Sequence, residues 1–446
     1  MDITDDQITP ELIQTFLDLH GSIVSGRFKV LDDYYKGEHE ILNRVIEDTT
    51  KPNNKPVINY CSYITDTLTG FFVGKPVTYT SKDKEFLEVL TKIYKDNEEQ
   101  AENHDLGHKS SIKGQAFELL YLDEEGKICF DPLDTDGVII VHDTTIKNIP
   151  CVAIRYYTVH DYIADEDTIK IDVYTKTNIY HYVDDGGIMF ESSEQHYFGE
   201  VPVIEYANNR YRRGDFQNII SLNDIYNKNT ADISNDVEYF SNAYLVLENM
   251  SETKSEDITD INKNRVILTS ENGKAYFLTK QLNDQVVQNQ RNNLSEDIHK
   301  TSYTPDLSKD IASNVSGNAL KTKMFTTAEI IVNKERKFTK SLQTRQRLIA
   351  TILNLKGYKD AEGKEMVTHE YNYKDIMMKF HRNMPTGMYE TADDVSKMST
   401  TVSQKTLLTE IGIEDVDAEI AQIELEKSTM VDLDNLQMPK EADVVE

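Results

Sequence analysis

The chain has 446 residues, a formal net charge of −29, 39% hydrophobic residues and 28% charged residues. That is enough chain for roughly three domains and enough apolar content to bury cores. The charge excludes a protein that grips nucleic acid over its whole surface, because phosphate neutralisation needs a basic footprint. No window approaches the ~18 consecutive apolar residues of a membrane span.

The start, MDITDDQITPELIQ, lacks the basic and apolar regions of a signal peptide. Cys61, Cys129 and Cys151 form no CxxC pair, and an odd number argues against a disulfide framework. Reduced thiols in a cytosol are the expectation.

In chain order, Thr9 is placed to cap a helix with Pro10 at its first position. Residues 31–44 form a second helical stretch interrupted at Gly37. Tyr60, Ile64, Leu68, Phe71 and Phe72 share one helix face, and residues 85–113 read as one more helix. From there to about Pro202 the pattern is short β-runs, with turns at Asp123-Glu124-Glu125-Gly126 and Asp184-Asp185-Gly186-Gly187. The predicted fold class is α+β.

The pattern changes at Gly214. Ile219, Tyr226, Thr230, Ile233, Val237, Phe240 and Tyr244 make a helical seam. Five acids (Asp215, Asp224, Asp232, Asp236 and Glu238) stand against Lys228 in this stretch. β-runs follow at 243–249, 265–269 and 274–279, and then a polar helix over about 282–303. Tyr244–Leu247 and 266–269 are expected to pair. The segment SNVSGNALKTKMF, 313–325, opens as a small polar loop and turns into helix, and residues 318–356 contain no Gly or Pro. A helix of that length is about 58 Å long at ~1.5 Å per residue, too extended for one small core. From Thr304 to Ala350 there are nine positive and four negative side chains, a local basic excess inside an acidic chain. Residues 376–384 read as a strand. The C-terminal part reads as two or three short helices, with Ser403 as a cap and Gly412 as a stop.

Three motifs that carry chemistry elsewhere fail on their details. Gly70-Phe-Phe-Val-Gly74-Lys75-Pro76 is one residue short of a phosphate-binding loop, and Pro76 replaces its hydroxyl residue. His104 and His108 have helical spacing, but Asp105 follows where a zinc-protease helix needs Glu. Asp134-Thr-Asp136-Gly137, with Asp143, is part of a calcium-loop pattern whose first ligand position is Pro132. No catalytic residue, metal site or cofactor is assigned. The residues alone leave open a DNA-processing metal-dependent hydrolase, or a homo-oligomeric scaffold without a DNA role.

Several stretches carry a more specific signal in their order: YYKGEH (34–39), NKPVINYCSYITDTLTGFFVGKPVTY (54–79), IKGQAFELLYLDEEG (112–126), VPVIEYANNRYRRGDFQNIISLNDIYN (201–227), NDVEYFSNAYLVL (235–247) and SGNALKTKM (316–324). Together they resemble the portal (head-to-tail connector) proteins of tailed double-stranded DNA phages, in the long-tailed branch infecting Gram-positive hosts. The C-terminal helices match in position and character only.

The resemblance implies an elongated multi-region fold. Residues 1–213 would be an α+β wing, 214–242 and 282–304 two stem helices, and 243–281 a small β-rich clip. Residues 305–317 would be a tunnel loop, 318–357 a long wing helix, 358–387 a wing strand region, and 388–446 a helical crown and tail. It also implies a homo-oligomeric ring, expected as a dodecamer, in the virion at one head vertex, after assembly in the host cytoplasm. The implied partners are double-stranded DNA, the large terminase subunit, a head-tail adaptor, and the major capsid and scaffolding proteins, with no membrane. Lys309, Ser313, Asn314, Ser316, Gly317, Asn318 and Lys321 would form a DNA-facing loop. Lys263 and Arg265 would dock partners at the clip. An acidic channel with a few cations at its constriction would touch DNA without holding it.

Overall fold

The computed structural model describes residues 3–49, 51–241, 244–249, 273–278, 284–306, 324–355, 370–382, 397, 402–411 and 416–435. Helix α1 (Pro10–Ile23) begins as its sequence dictates. The Thr9 hydroxyl accepts from the Leu12 amide at 3.3 Å, and Pro10 needs no amide partner in the first turn. It passes through a π turn, Val24–Phe28, into α2 (Lys29–Lys36). Gly37 stops α2 in the left-handed region at φ 89°.

Helix α3 (Tyr60–Phe72) is capped by Asn59 and buries Ile64, Leu68, Phe71 and Phe72. Strand β1 (Thr78–Ser81) follows. The single helix expected over 85–113 is in fact two, α4 (Lys84–Asp96) and α5 (Glu99–Lys113). The break is a tertiary effect. The Asn97 amide donates to the carbonyls of Ile93 and Ile128 and accepts from the Phe130 amide, and Glu98 takes a left-handed φ of 50°.

Two antiparallel sheets come next. One has three strands in the order β3-β2-β9, formed by β2 (Gln115–Leu122), β3 (Ile128–Leu133) and β9 (Val203–Ala207). The other is a five-stranded meander of β4 (Val138–His142), β5 (Pro150–Asp161), β6 (Glu166–Tyr174), β7 (Asn178–Asp184) and β8 (Ile188–Gln195). The turns lie where Asp and Gly predicted them. Asp123 accepts from the Glu125 and Lys127 amides, and Asp184 from the Gly187 amide. Helix α1 sets Ile13 against Val152, Ile154, Ile171 and Val173 of the meander, a burial that stabilises by roughly 1.5–3 kcal/mol for that side chain.

Helix α6 (Ile220–Ser241) leads into β10 (Tyr244–Glu248), and β11 (Lys274–Leu278) leads into α7 (Asp284–Ser302). Strand β10 pairs antiparallel with β11, Tyr244 opposite Leu278, and α6 packs on α7. The expected second run, 266–269, lies outside the described residues. The long helix is α8 (Phe325–Leu353), 29 residues and about 43 Å at ~1.5 Å per residue. It crosses the largest core, where Phe338 meets Phe72, Tyr206 and Phe380. Strand β12 (Ile376–Lys379) returns to pair with β1, Ile376 opposite Ser81. The described C-terminal helices are α9 (Gln404–Ile411) and α10 (Val416–Asn435). No described helix is long and apolar enough to cross a membrane.

Candidate functional site

The long helix carries two cations on its buried face. Lys334 and Arg345 are eleven residues apart, close to three helical turns, so both side chains leave the same side. Ile331, Phe338, Leu342 and Ile349 share that buried face. Lys334 Nζ reaches Asp215 Oδ2 at 2.6 Å and donates to Ser111 Oγ at 2.7 Å. Both partners of the ion pair are buried, and Asp215 sits just before α6, so this pair ties the long helix to the base of the helix pair.

Arg345 is fully buried. Its guanidinium donates to both carboxylate oxygens of Glu118, one bond at 2.9 Å, and to Asn103 Oδ1 at 3.0 Å, and lies 3.4 Å from Glu99. It stacks over Phe130 at 4.4 Å. The Tyr206 hydroxyl completes Glu118 at 2.9 Å, and the Tyr79 hydroxyl donates to Glu99. Burial pulls the Arg345 pKa down, but the Glu118 and Glu99 carboxylates outweigh it and hold the group well above its ordinary value. Burial raises Glu99, with Arg345 opposing it. Every charge in this cluster has a charged or hydrogen-bonding partner, the condition under which buried ions persist.

A third tie joins the long helix to the end of α7. The Thr327 hydroxyl of α8 donates to the Tyr303 carbonyl, just after α7, at 2.5 Å. His299 Nδ1 lies 3.0 Å from the Thr304 carbonyl. The two described ends flanking residues 307–323 are therefore joined by one hydrogen bond. The arrangement is a joint, where a long helix, a helix pair and an α+β body meet through buried ion pairs and hydrogen bonds. Among the described residues no group of three or more His, Cys, Asp or Glu could hold a metal.

Residues 25–432 match the family described as phage portal protein, SPP1 Gp6-like. The chain belongs to that family. It is 24% identical over 299 residues to the portal protein of Bacillus phage SPP1, covering 63% of this chain and 59% of that protein. It is 24% identical over 408 residues to the portal protein of Clostridium phage phiCD119, covering 84% and 86% respectively.

In this portal chain the loop residues Lys309, Ser313, Asn314, Ser316, Gly317, Asn318 and Lys321 lie outside the described residues, as do Lys263 and Arg265. The basic helix divides. Lys334 and Arg345 are internal, Arg347 pairs with Glu200 at 2.6 Å, and Arg336, Lys337 and Lys340 are exposed. The acids before and along α6 are largely engaged. Asp215 holds Lys334, both Asp224 oxygens accept from the Tyr34 hydroxyl at 2.9 Å, Asp232 meets Arg44 at 2.7 Å, and Glu238 accepts from Asn54 at 2.7 Å.

Sequence reasoning missed the buried group beside them. His39 is wholly buried, with Nε2 at 3.0 Å from the Tyr34 carbonyl and Nδ1 at 2.9 Å from Asn227 Nδ2. Nε2 therefore donates and Nδ1 accepts, so the ring is neutral, and burial lowers its pKa. Asn223 and Asn227, one turn apart and both buried, also hold the Tyr60 and Ile58 amides. Their spacing in a seam of apolar residues was the available signal.

The rejected motifs have ordinary settings. His108 bonds the Tyr35 hydroxyl at 2.9 Å and stacks on His104. Asp136 pairs with Lys113 at 2.8 Å. Gly74 packs so closely on Gly70 that an added Cβ would meet its carbonyl oxygen at 2.1 Å.

Proposed function

We propose that this portal chain is one subunit of a ring-shaped channel at a single phage-head vertex, through which double-stranded DNA is packaged and later ejected. In this reading residues 1–213 are the wing, α6 and α7 the stem, β10 and β11 part of the clip, α8 the spoke and 388–446 the crown and tail. The ring, expected as a dodecamer, docks the large terminase subunit and then a head-tail adaptor, and meets the capsid and scaffolding proteins. Its own role is structural, and ATP hydrolysis belongs to the motor that docks on it.

The observation that carries this reading is the joint at Asp215 and Lys334, together with the Tyr303–Thr327 tie. They set the flanks of residues 307–323 at the end of a helix about 43 Å long at ~1.5 Å per residue. A segment held that way is suited to touch a moving polymer while its support stays still. Negative-stain microscopy of the purified protein should show rings with a central opening. Monomers at high concentration and in particles would overturn the reading.

A further inference from the structure

We infer that the exposed loop Arg210-Tyr211-Arg212-Arg213 is an inter-subunit docking surface that receives the tip of the β5–β6 hairpin of a second copy of this chain. The inference rests on the ring reading above and names a contact that would build the ring.

The loop is unusual for a chain of charge −29. Its four residues are all exposed, and the Tyr211 side chain is 77% exposed between arginines. Arg212 turns back to Glu205, with Nη2 at 2.9 Å from Oε2. Among the described residues the Arg210 and Arg213 side chains have no hydrogen bond or ion pair.

The backbone beneath them is tightly fastened. Asn209 Oδ1 accepts from the Tyr211 and Arg213 amides at 3.0 and 3.1 Å. The Asn208 and Asn209 side-chain Nδ2 groups donate to the Arg213 carbonyl at 2.9 and 2.6 Å, and the Arg27 guanidinium donates to the Arg212 carbonyl. Arg212 is held at φ 53°, and a Cβ on Gly114 would strike its carbonyl oxygen at 2.1 Å. A loop so braced loses little freedom on binding, and Arg and Tyr are the side chains that anchor protein interfaces.

The complementary surface is on the same sequence but at a distance. The turn after β5 reads DYIADED, 161–167, with Tyr162 89% and Ile163 98% exposed. Asp161 Oδ1 accepts from the Ile163 and Ala164 amides at 2.7 and 3.2 Å, which fixes the turn and leaves both side chains projecting. Asp161, Asp165, Glu166 and Asp167 face a single cationic candidate, His160, which contacts Asp165 and Asp167. Acid with apolar side chains on one surface thus matches base with an aromatic on the other.

Within one copy no hydrogen bond or ion pair among the described residues joins the tip to the loop. Strand β5 begins at Pro150, opposite His142, whose ring lies in the field of Glu205 and Arg212. Strand β5 also passes this neighbourhood at Tyr156, whose hydroxyl donates to the carbonyl of Asp136, the partner of the loop-side Lys113, and from there it runs five residues to Asp161, about 16 Å at ~3.3 Å per residue. The tip is carried away from its own loop. A contact between two different surfaces of identical chains is heterologous, the kind that closes rings. DNA phosphates are the other anion such a loop would attract, and the test separates them.

The full-length chain should be assembled at increasing concentration and followed by sedimentation velocity and negative stain. Arg210→Glu with Arg213→Glu, and separately Asp165→Asn with Glu166→Lys, should each stay folded by circular dichroism but need about tenfold more protein to form rings. Asn is chosen at 165 because it tolerates the positive φ there. Wild-type assembly by either pair variant would overturn the inference. So would normal rings of the Arg210/Arg213 variant that no longer bind a short DNA duplex held by wild type, because the loop would then be a DNA contact. Absence of rings in the wild type would instead sink the ring reading itself.

Discussion

The Thr327 hydroxyl donates to the Tyr303 carbonyl at 2.5 Å, across the gap between the start of the long helix and the end of α7. Thr327→Val keeps the shape and removes the donor. Stability should fall by about 1 kcal/mol, the net worth of one hydrogen bond. Rings should still form, but the flanks of residues 307–323 should exchange amide hydrogens faster. Unchanged exchange at Tyr303 and Thr304 would show that the tie does not hold the two ends.

Arg345 and Lys334 should be unequal to any exposed cation of the same helix. Arg345→Met leaves Glu118 and Glu99 buried without their partner, at a cost of about 3–5 kcal/mol. Lys340→Met, at an exposed position, should change the denaturant midpoint by less than about 0.5 kcal/mol. For the second buried pair, Lys334→Met combined with Asp215→Leu should be less damaging than the two single changes summed, because neither ion is then stranded. Additive losses would mean that the 2.6 Å pair carries no coupling.

His39 gives a pH prediction with a definite sign. Burial lowers its pKa below the ordinary 6.5, so the unfolded chain binds the proton more readily than the folded one. The stability contributed by the neutral ring is fully present above about 6.5 and is lost as pH falls toward the folded value. Unfolding free energies at pH 7.5 and 5.5 should differ less for His39→Gln than for the wild type. One proton is worth at most about 1.4 kcal/mol per pH unit. Equal slopes in the two proteins would remove His39 as a contributor.

Lys309→Glu with Lys321→Glu tests the loop proposed to lie at the channel constriction. Exposed charge contacts are worth about 0–1 kcal/mol each, weak enough to permit sliding and multiplied around a ring. Rings should assemble normally while packaged DNA length or retention falls. Intact rings with full-length retained DNA would count against a DNA-facing role, and broken rings would favour a subunit contact.

Lys263→Glu with Arg265→Glu tests the proposed clip surface in the same way. Ring assembly should survive, and pull-down of the packaging motor or the tail adaptor should weaken. Undiminished docking of both would take these two residues out of the interface.

Much of the local structure was legible because its causes are local. Thr9 before Pro10, Gly37 after a helical run, and Asp–Gly turns act through their own backbone within a few residues. Alternation and helical spacing placed most strands and helices for the same reason, and the order of short motifs carried the family. The break at Glu98 had no such signal, because it depends on Asn97 finding the backbone of β3. The pairing of β1 with β12 joins residues nearly 300 positions apart, so neither strand announces its partner. Charge was the hardest to read. A lysine or arginine on a helix looks the same in sequence whether it faces water or a carboxylate, and only packing brought Asp215 to Lys334 and Glu118 to Arg345. Both cations did fall on the apolar face of their helix, and burial turned that face from a solvated surface into a joint.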